Sequence, residues 1–252
     1  MTRIIPIILI ILLFCSCAAT RVKVNTLYTN GVPVDTLNLV STMIGPVLQP
    51  VLPLIDAAAF NEKTNKIADQ ILDEEQKRVE TYKSLLTKSL SEKIQKPIRT
   101  GSDFLSDAAN RYKVKNGIQI DNKNFPIVFF SNGDINIIDF EKGRNVNSIF
   151  KDNAELKIQV VKLASELKLK TILISYNRLN VIGAGMFGST GNLRLETYLY
   201  LYNSSGNLLI DAYGWSKPTA IRGKELSDYK FQLDNFQELS NLISQELLKY
   251  IK

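Results

Sequence analysis

The chain has 252 residues, a formal net charge of +6, no histidine, two cysteines and a single tryptophan. Its apolar fraction of 45% and charged fraction of 22% are those of an ordinary globular protein. Acids and bases are interleaved, with no basic run to mark a nucleic-acid groove. The lack of histidine removes the commonest general base, the Ser-His and Cys-His nucleophile pairs and most zinc sites. Catalysis would have to run on carboxylates, Lys, Tyr or Ser, and none of these falls in a recognisable motif. The expectation is a protein that is not an enzyme, with no cofactor and no metal.

Residues 1–17 read as a secretory leader. Arg3 supplies a positive charge, residues 4–14 form an apolar run, and the small Ser16 precedes Cys17. As a helix that run of about eleven residues is ~16 Å long, short of a ~30 Å hydrocarbon core, so it fits a signal-peptide core and not a stable membrane span. The pattern resembles the lipobox of bacterial lipoproteins, although Phe14 stands where that family usually has Leu. The resemblance implies cleavage after Ser16 and fatty acylation of Cys17, a palmitate-type anchor. Cys15 fits that role poorly, because cleavage before it would put bulky Phe14 at the position that should be small. A soluble secreted chain cut elsewhere, or an uncleaved anchor, are the alternatives to the lipoprotein reading. Ala18 and Ala19 follow the cysteine where an inner-membrane lipoprotein would carry Asp, which implies an outer-membrane lipoprotein facing the periplasm. About 236 residues would remain, enough for one large domain, and with both cysteines spent near the leader the mature chain has no disulfide.

Residues 17–60 read as a lipidated tether and a Pro-rich apolar segment outside the main domain. Residues 22–28 are strand-like, and Asn30-Gly31 is a turn signal. Residues 37–60 are almost wholly apolar but broken by Pro46, Pro50 and Pro53. Proline in a helix interior costs ~3 kcal/mol, so one straight helix is excluded. A kinked element laid over the core is the preferred reading, and a surface touching the bilayer or a partner subunit the alternative.

Residues 61–96 carry a charged amphipathic pattern, with Tyr82, Leu86, Leu90 and Ile94 in its second half, ending at Lys96-Pro97. A short helix over 104–112 and a strand over 113–120 follow. Asn132-Gly133 then predicts a hairpin between residues 125–130 and 135–140. Asp152 and Glu155 make a capping box for a helix with Leu156, Val160, Leu163, Ala164 and Leu167 on one face. Residues 171–182 open as an apolar strand, and 192–202 and 207–215 alternate around a turn at 203–206. Asn235 and Glu238 predict the cap of a closing helix carrying Phe236, Leu239, Leu242, Ile243, Leu247, Tyr250 and Ile251.

This order predicts an α+β domain over residues 61–252, with helices packed on one face of a mostly antiparallel sheet. Element order and leader together resemble the compact periplasmic domains of bacterial lipoproteins. The examples are the lipoprotein activators of penicillin-binding proteins, the N-terminal domain of the Tol-system periplasmic protein and the curli-secretion lipoprotein. The resemblance implies a non-enzymatic module that binds an envelope protein and supports assembly or transport. A lipoprotein carrying a small apolar ligand such as a lipid is the alternative, and an envelope hydrolase using carboxylates comes last.

Residues 183–188, Gly-Ala-Gly-Met-Phe-Gly, match the dinucleotide fingerprint but precede an alternating strand. A pyrophosphate needs helix N-terminal amides there, so they read as a hairpin loop, with Met186 and Phe187 as candidate contacts at its tip. A turn centred on Ser204-Ser205 would pair Tyr200 with Leu209, Tyr198 with Asp211, Glu196 with Tyr213 and Arg194 with Trp215. Arg194, Tyr198, Tyr200, Tyr213 and Trp215 are accordingly the candidate partner-binding face, of residue types enriched at interaction hot spots. The competing reading has the long helix covering that face. Asp73-Glu74-Glu75 reads as a solvated helix face, and Arg21 and Lys23 as weak contacts for anionic headgroups.

Overall fold

A computed structural model describes residues 19–28, 30–48, 75–100, 103, 118–122, 125–131, 150–151, 154–182, 192–220 and 230–252. In chain order these contain β1 (Arg21–Thr26), β2 (Leu37–Leu48), α1 (Glu75–Ile94), β3 (Ile98–Thr100), β4 (Ile118–Asn122) and β5 (Phe125–Ser131). Then come α2 (Ala154–Leu167), β6 (Thr171–Ile182), β7 (Asn192–Asn203), β8 (Leu208–Trp215), β9 (Thr219–Ala220) and α3 (Lys230–Leu248). The leader with Cys17, most of the Pro-rich segment, the expected pieces at 104–112 and 135–140, the Asp152 cap, and Met186 and Phe187 all lie outside the described residues.

The strands form one sheet in the order β1-β8-β7-β6-β2-β5-β4, with β3 added to β2 and β9 to β7. Among the strands of the described residues, only the β2–β3 and β2–β6 pairs are parallel. The class is α+β with a mostly antiparallel sheet, as expected. β5 pairs with β4 and, at its end, with β2.

One expectation is corrected: the helices cover both faces of the sheet. Successive strand side chains point to opposite faces. Leu173, Leu195, Leu199, Leu201 and Ile210 join one core with Tyr82, Leu86 and Leu90 of α1 and Phe236, Leu239 and Ile243 of α3. Their neighbours Ile172, Ile174, Tyr176, Tyr198, Tyr200 and Tyr202 join a second core with Leu156, Val160 and Leu163 of α2. Residues 172–174 of β6 and 198–202 of β7 are apolar or aromatic on both sides, so each face needs a cover there. Burying one such side chain contributes ~1.5–3 kcal/mol, which is why a single layer of helices would leave many unspent contacts in water. Across the first core Tyr82 meets Phe236 at 4.4 Å, and Ser89 donates to Asn241 Oδ1 at 2.9 Å, linking α1 to α3.

The tether reading is corrected too, because residues 21–48 supply two strands of the sheet. β1 pairs with β8 from Arg21↔Trp215 to Thr26↔Ile210. β2 sits between β6 and β5, as an inner strand and not a kinked cover. Leu37 and Leu39 enter one core while Val40 and Met43 enter the other, with a register shift between Leu39 and Ser41. That shift places Val40 and Met43, three residues apart, on the same face. Pairing with β5 is confined to Met43 and Ile44, so Pro46 lies where the described part of β2 has one strand neighbour, a position that tolerates a missing N–H.

α3 begins at Lys230, so Asn235 lies inside the helix and does not cap it. Tyr250 and Ile251 lie past its end, where Ile251 bridges to Val32. α2 ends in a left-handed turn. Lys168 has φ 54, its N–H donates to Ser165 O at 3.4 Å, and the Leu169 N–H donates to Ala164 O at 2.9 Å. This is the geometry for which glycine is favoured, since a Cβ in that conformation costs about 1 kcal/mol. Lys168→Gly is expected to raise the unfolding free energy by about 0.5–1 kcal/mol, read as a higher urea midpoint; a lower midpoint would contradict this account of the turn.

Candidate functional site

The face under α2 holds most of the residues singled out from the sequence. The β7–β8 turn spans residues 203–207. Asn203 Oδ1 accepts from the N–H groups of Ser205 (3.0 Å) and Asn207 (2.9 Å), and Gly206 takes φ +72. A register shift between Leu201 and Tyr202 follows. Together they slide the pairing by two residues from the one expected, giving Glu196↔Trp215, Tyr198↔Tyr213 and Tyr200↔Asp211. A slip of two leaves Tyr198, Tyr200, Ile210, Tyr213 and Trp215 on their expected faces while changing their cross-strand partners, whereas Leu208 and Leu209, beside the register shift, exchange faces.

The registers set two rows across the sheet. One runs Lys23, Tyr213, Tyr198, Tyr176 over β1, β8, β7 and β6, and the next runs Arg21, Trp215, Glu196, Arg178 over the same strands. The rings form a continuous series. Phe150 stacks on Tyr200 at 4.5 Å, Tyr200 on Tyr198 at 6.4 Å, Tyr198 on Tyr213 at 4.5 Å, and Tyr213 meets Trp215 at 5.1 Å. The series runs from the buried zone under Phe150 and α2 outward to partly exposed Tyr213 and Trp215.

Tyr198 and Tyr200 are therefore corrected as contact residues: both are buried in the α2-side core. The cover comes from α2 and Phe150, not from the long helix α1. Arg194, Tyr213 and Trp215 are partly exposed and stay available. The expected pairing of Arg194 opposite Trp215 is not the observed register, yet the guanidinium still lies 6.0 Å from the Trp215 ring centroid.

The sequence reading missed the group that fixes this end of the face. Glu196 is fully buried and accepts from Arg178 Nε at 2.6 Å, from Arg194 Nη2 at 2.5 Å and from the Tyr198 hydroxyl at 3.1 Å. The Arg178 guanidinium also lies 5.3 Å from the Tyr198 ring centroid. Burial opposes the charge on Arg178, but Glu196 and the neighbouring phenols outweigh it and hold the guanidinium pKa above its usual value. The only signal available was Arg178 and Arg194 bracketing a lone acid on two adjacent strands. With its oxygens taken by these donors, Glu196 is suited to orienting two arginines and not to proton transfer.

Burial also raises the phenol pKa values of Tyr176, Tyr200 and Tyr202 above the ordinary range, and that of Tyr213 to a lesser depth of cover. The Tyr202 hydroxyl donates to the Phe150 carbonyl, and Lys151 pairs with Asp211, which also accepts from Asn25 Nδ2 at 2.6 Å. Among the described residues no group of three or more His, Cys, Asp or Glu is placed to hold a metal ion. No helix of the described residues is long and apolar enough to cross a membrane.

No protein-family model and no curated protein matches the chain. Among solved structures, the chain is similar to the PelC dodecamer from Paraburkholderia phytofirmans, at 7% identity over 92% of this chain and 99% of that one, with a TM-score of 0.33. A point variant of the same dodecamer gives 10% identity over 90% and 98%, with a TM-score of 0.32. Likenesses at this level carry nothing over to the present chain, and its function is argued from its own residues.

Proposed function

We propose that the chain is a lipid-anchored accessory module of the bacterial envelope, held through Cys17 at the periplasmic face of the outer membrane and acting by binding an envelope protein, without catalysis. The observation that carries this reading is where the domain begins. Lys217 N–H donates to Thr20 Oγ1 at 3.2 Å, and β1 starts at Arg21. Thr20 is three positions after the lipobox cysteine, a span of at most about 11 Å of extended chain. A domain tied in so close to Cys17 would rest at the membrane surface. The binding role, in place of a catalytic one, is supported by the absence of histidine and by the saturated coordination of Glu196.

Cys17→Ser tests the anchor. The wild-type chain is expected to sediment with membranes after a high-salt wash, because two or more acyl chains on one residue make attachment effectively stable. The variant is expected to keep its leader or to be released. Unchanged processing and sedimentation in the variant would contradict the proposal.

A further inference from the structure

The strand directions bring several chain ends to one side of the molecule. β1 begins there at Arg21, β8 ends at Trp215, β6 ends at Ile182 and β7 begins at Asn192. β2, parallel to β6, also ends there, at Leu48 opposite Val181. The row Arg21–Trp215–Glu196–Arg178 crosses this end of the α2 face, with Arg194 one step further out and Lys23 and Tyr213 one step further in. These positions hold four cations and one carboxylate, and the carboxylate is buried between two of the cations. Arg21 and Lys23 are exposed, and Trp215, Tyr213, Arg178 and Arg194 are partly exposed.

We propose that this corner is a headgroup-binding surface, in which Trp215 and Tyr213 lie at the level of the lipid headgroups while Arg21, Lys23, Arg178 and Arg194 receive the phosphates of anionic lipid. The assignment rests on the Cys17 anchor proposed above and names what the anchored domain first meets. Two features select lipid over a protein partner. Arg21 is four residues from Cys17, so the Arg21 end of the row stands no further than about 14 Å along the chain from the acylated residue. The composition also matches an interface: aromatic side chains with one apolar and one polar end concentrate at headgroup depth, and each basic residue near an anionic surface is attracted to it. Glu196 has a stated part in this. By holding Arg178 and Arg194 from below through their Nε and Nη2 atoms, it fixes the direction in which their remaining donors point.

Trp215 is the only tryptophan in the chain, so its fluorescence reports this corner alone. The experiment uses the full chain, expressed with its leader, purified from membranes and reconstituted into vesicles of phosphatidylcholine alone or with phosphatidylglycerol. The expected result is a blue-shifted Trp215 emission, quenched more by a spin label at headgroup depth than by one deep in the acyl region, and more strongly in the anionic vesicles. The double variant Arg21→Gln, Lys23→Gln, altered only on the exposed face of the edge strand, is expected to lose most of the difference between the two lipid compositions. A vesicle-bound protein whose Trp215 stays open to an aqueous quencher and untouched by either spin label would overturn the headgroup assignment and leave the anchor standing. So would shielding that arises only when a second envelope protein is added. Loss of the protein from vesicles on washing would overturn the anchor, and the headgroup assignment with it.

Discussion

Glu196→Ala is expected to lower the unfolding free energy by about 3 kcal/mol or more, within the range for breaking a buried ion pair by removing one partner. The carboxylate has no solvent exposure, whereas Arg178 and Arg194 retain 15% and 24% of theirs, so the anion is the member that depends wholly on its partners. Its removal leaves two guanidinium groups facing each other over a cavity, with the Tyr198 hydroxyl deprived of its acceptor. The triple variant Arg178→Met, Glu196→Leu, Arg194→Met is expected to return to within about 1 kcal/mol of wild type, because apolar side chains of similar volume avoid the desolvation of three charges. Equilibrium urea unfolding of the two variants checks both values. Equal losses in the single and triple variants would mean that the site is held by side-chain volume, not by charge pairing.

Alkaline pH is expected to unfold the protein steeply. Burial is the first cause of the raised phenol pKa values of Tyr176, Tyr200 and Tyr202. Their folded pKa values lie above the unfolded value near 10, so the neutral phenol favours the folded state. Stability from this source is complete below about pH 10 and is lost as pH rises from there through the folded values, since the unfolded chain sheds its protons first. Each phenol contributes a slope of about 1.4 kcal/mol per pH unit, so three together approach ~4 kcal/mol per unit, against a total stability of about 5–15 kcal/mol. Unfolding free energies measured from pH 8 to 11.5, with tyrosinate absorbance followed in parallel, test this. Tyr200→Phe should remove about a third of the slope. Phenols that ionise near pH 10 while the fold persists would contradict the packing described for α2 and Phe150.

Helices were the most legible part of the fold. Tyr82, Leu86, Leu90 and Ile94 keep a three- to four-residue spacing because α1 presents one stripe to one core. β2 was hidden by two departures from simple alternation. Its register shift puts Val40 and Met43 on one side, and burial of every residue from 37 to 43, Asn38, Ser41 and Thr42 included, leaves no alternation of apolar and polar positions to mark a strand. Pro46 excluded a straight helix and led to a kinked element, and the short reach of β5 along β2 shows why a strand tolerates it.

The candidate site was legible in its faces and not in its neighbours. Alternation along residues 194–202 assigns a side to each residue, and a two-residue slip preserves that assignment. Whether a face is buried depends on where a helix from elsewhere in the chain lands, which alternation does not encode. Tyr198 and Tyr200 were accordingly mistaken for surface residues, and α2 together with Phe150 buries them. Glu196 was invisible for a related reason. Its partner Arg178 comes from β6, eighteen residues away across a hairpin, and nothing in local sequence marks the two as a pair.

The most direct measurement is the intact mass of the chain recovered from membranes of a lipoprotein-processing host, with its N-terminal peptide sequenced by fragmentation. A first residue of Cys17 carrying diacylglycerol or three acyl chains is the expected result. A mature terminus at any other residue, or an unmodified thiol at Cys17, would detach the domain from the bilayer and leave the cationic aromatic corner without the surface assigned to it.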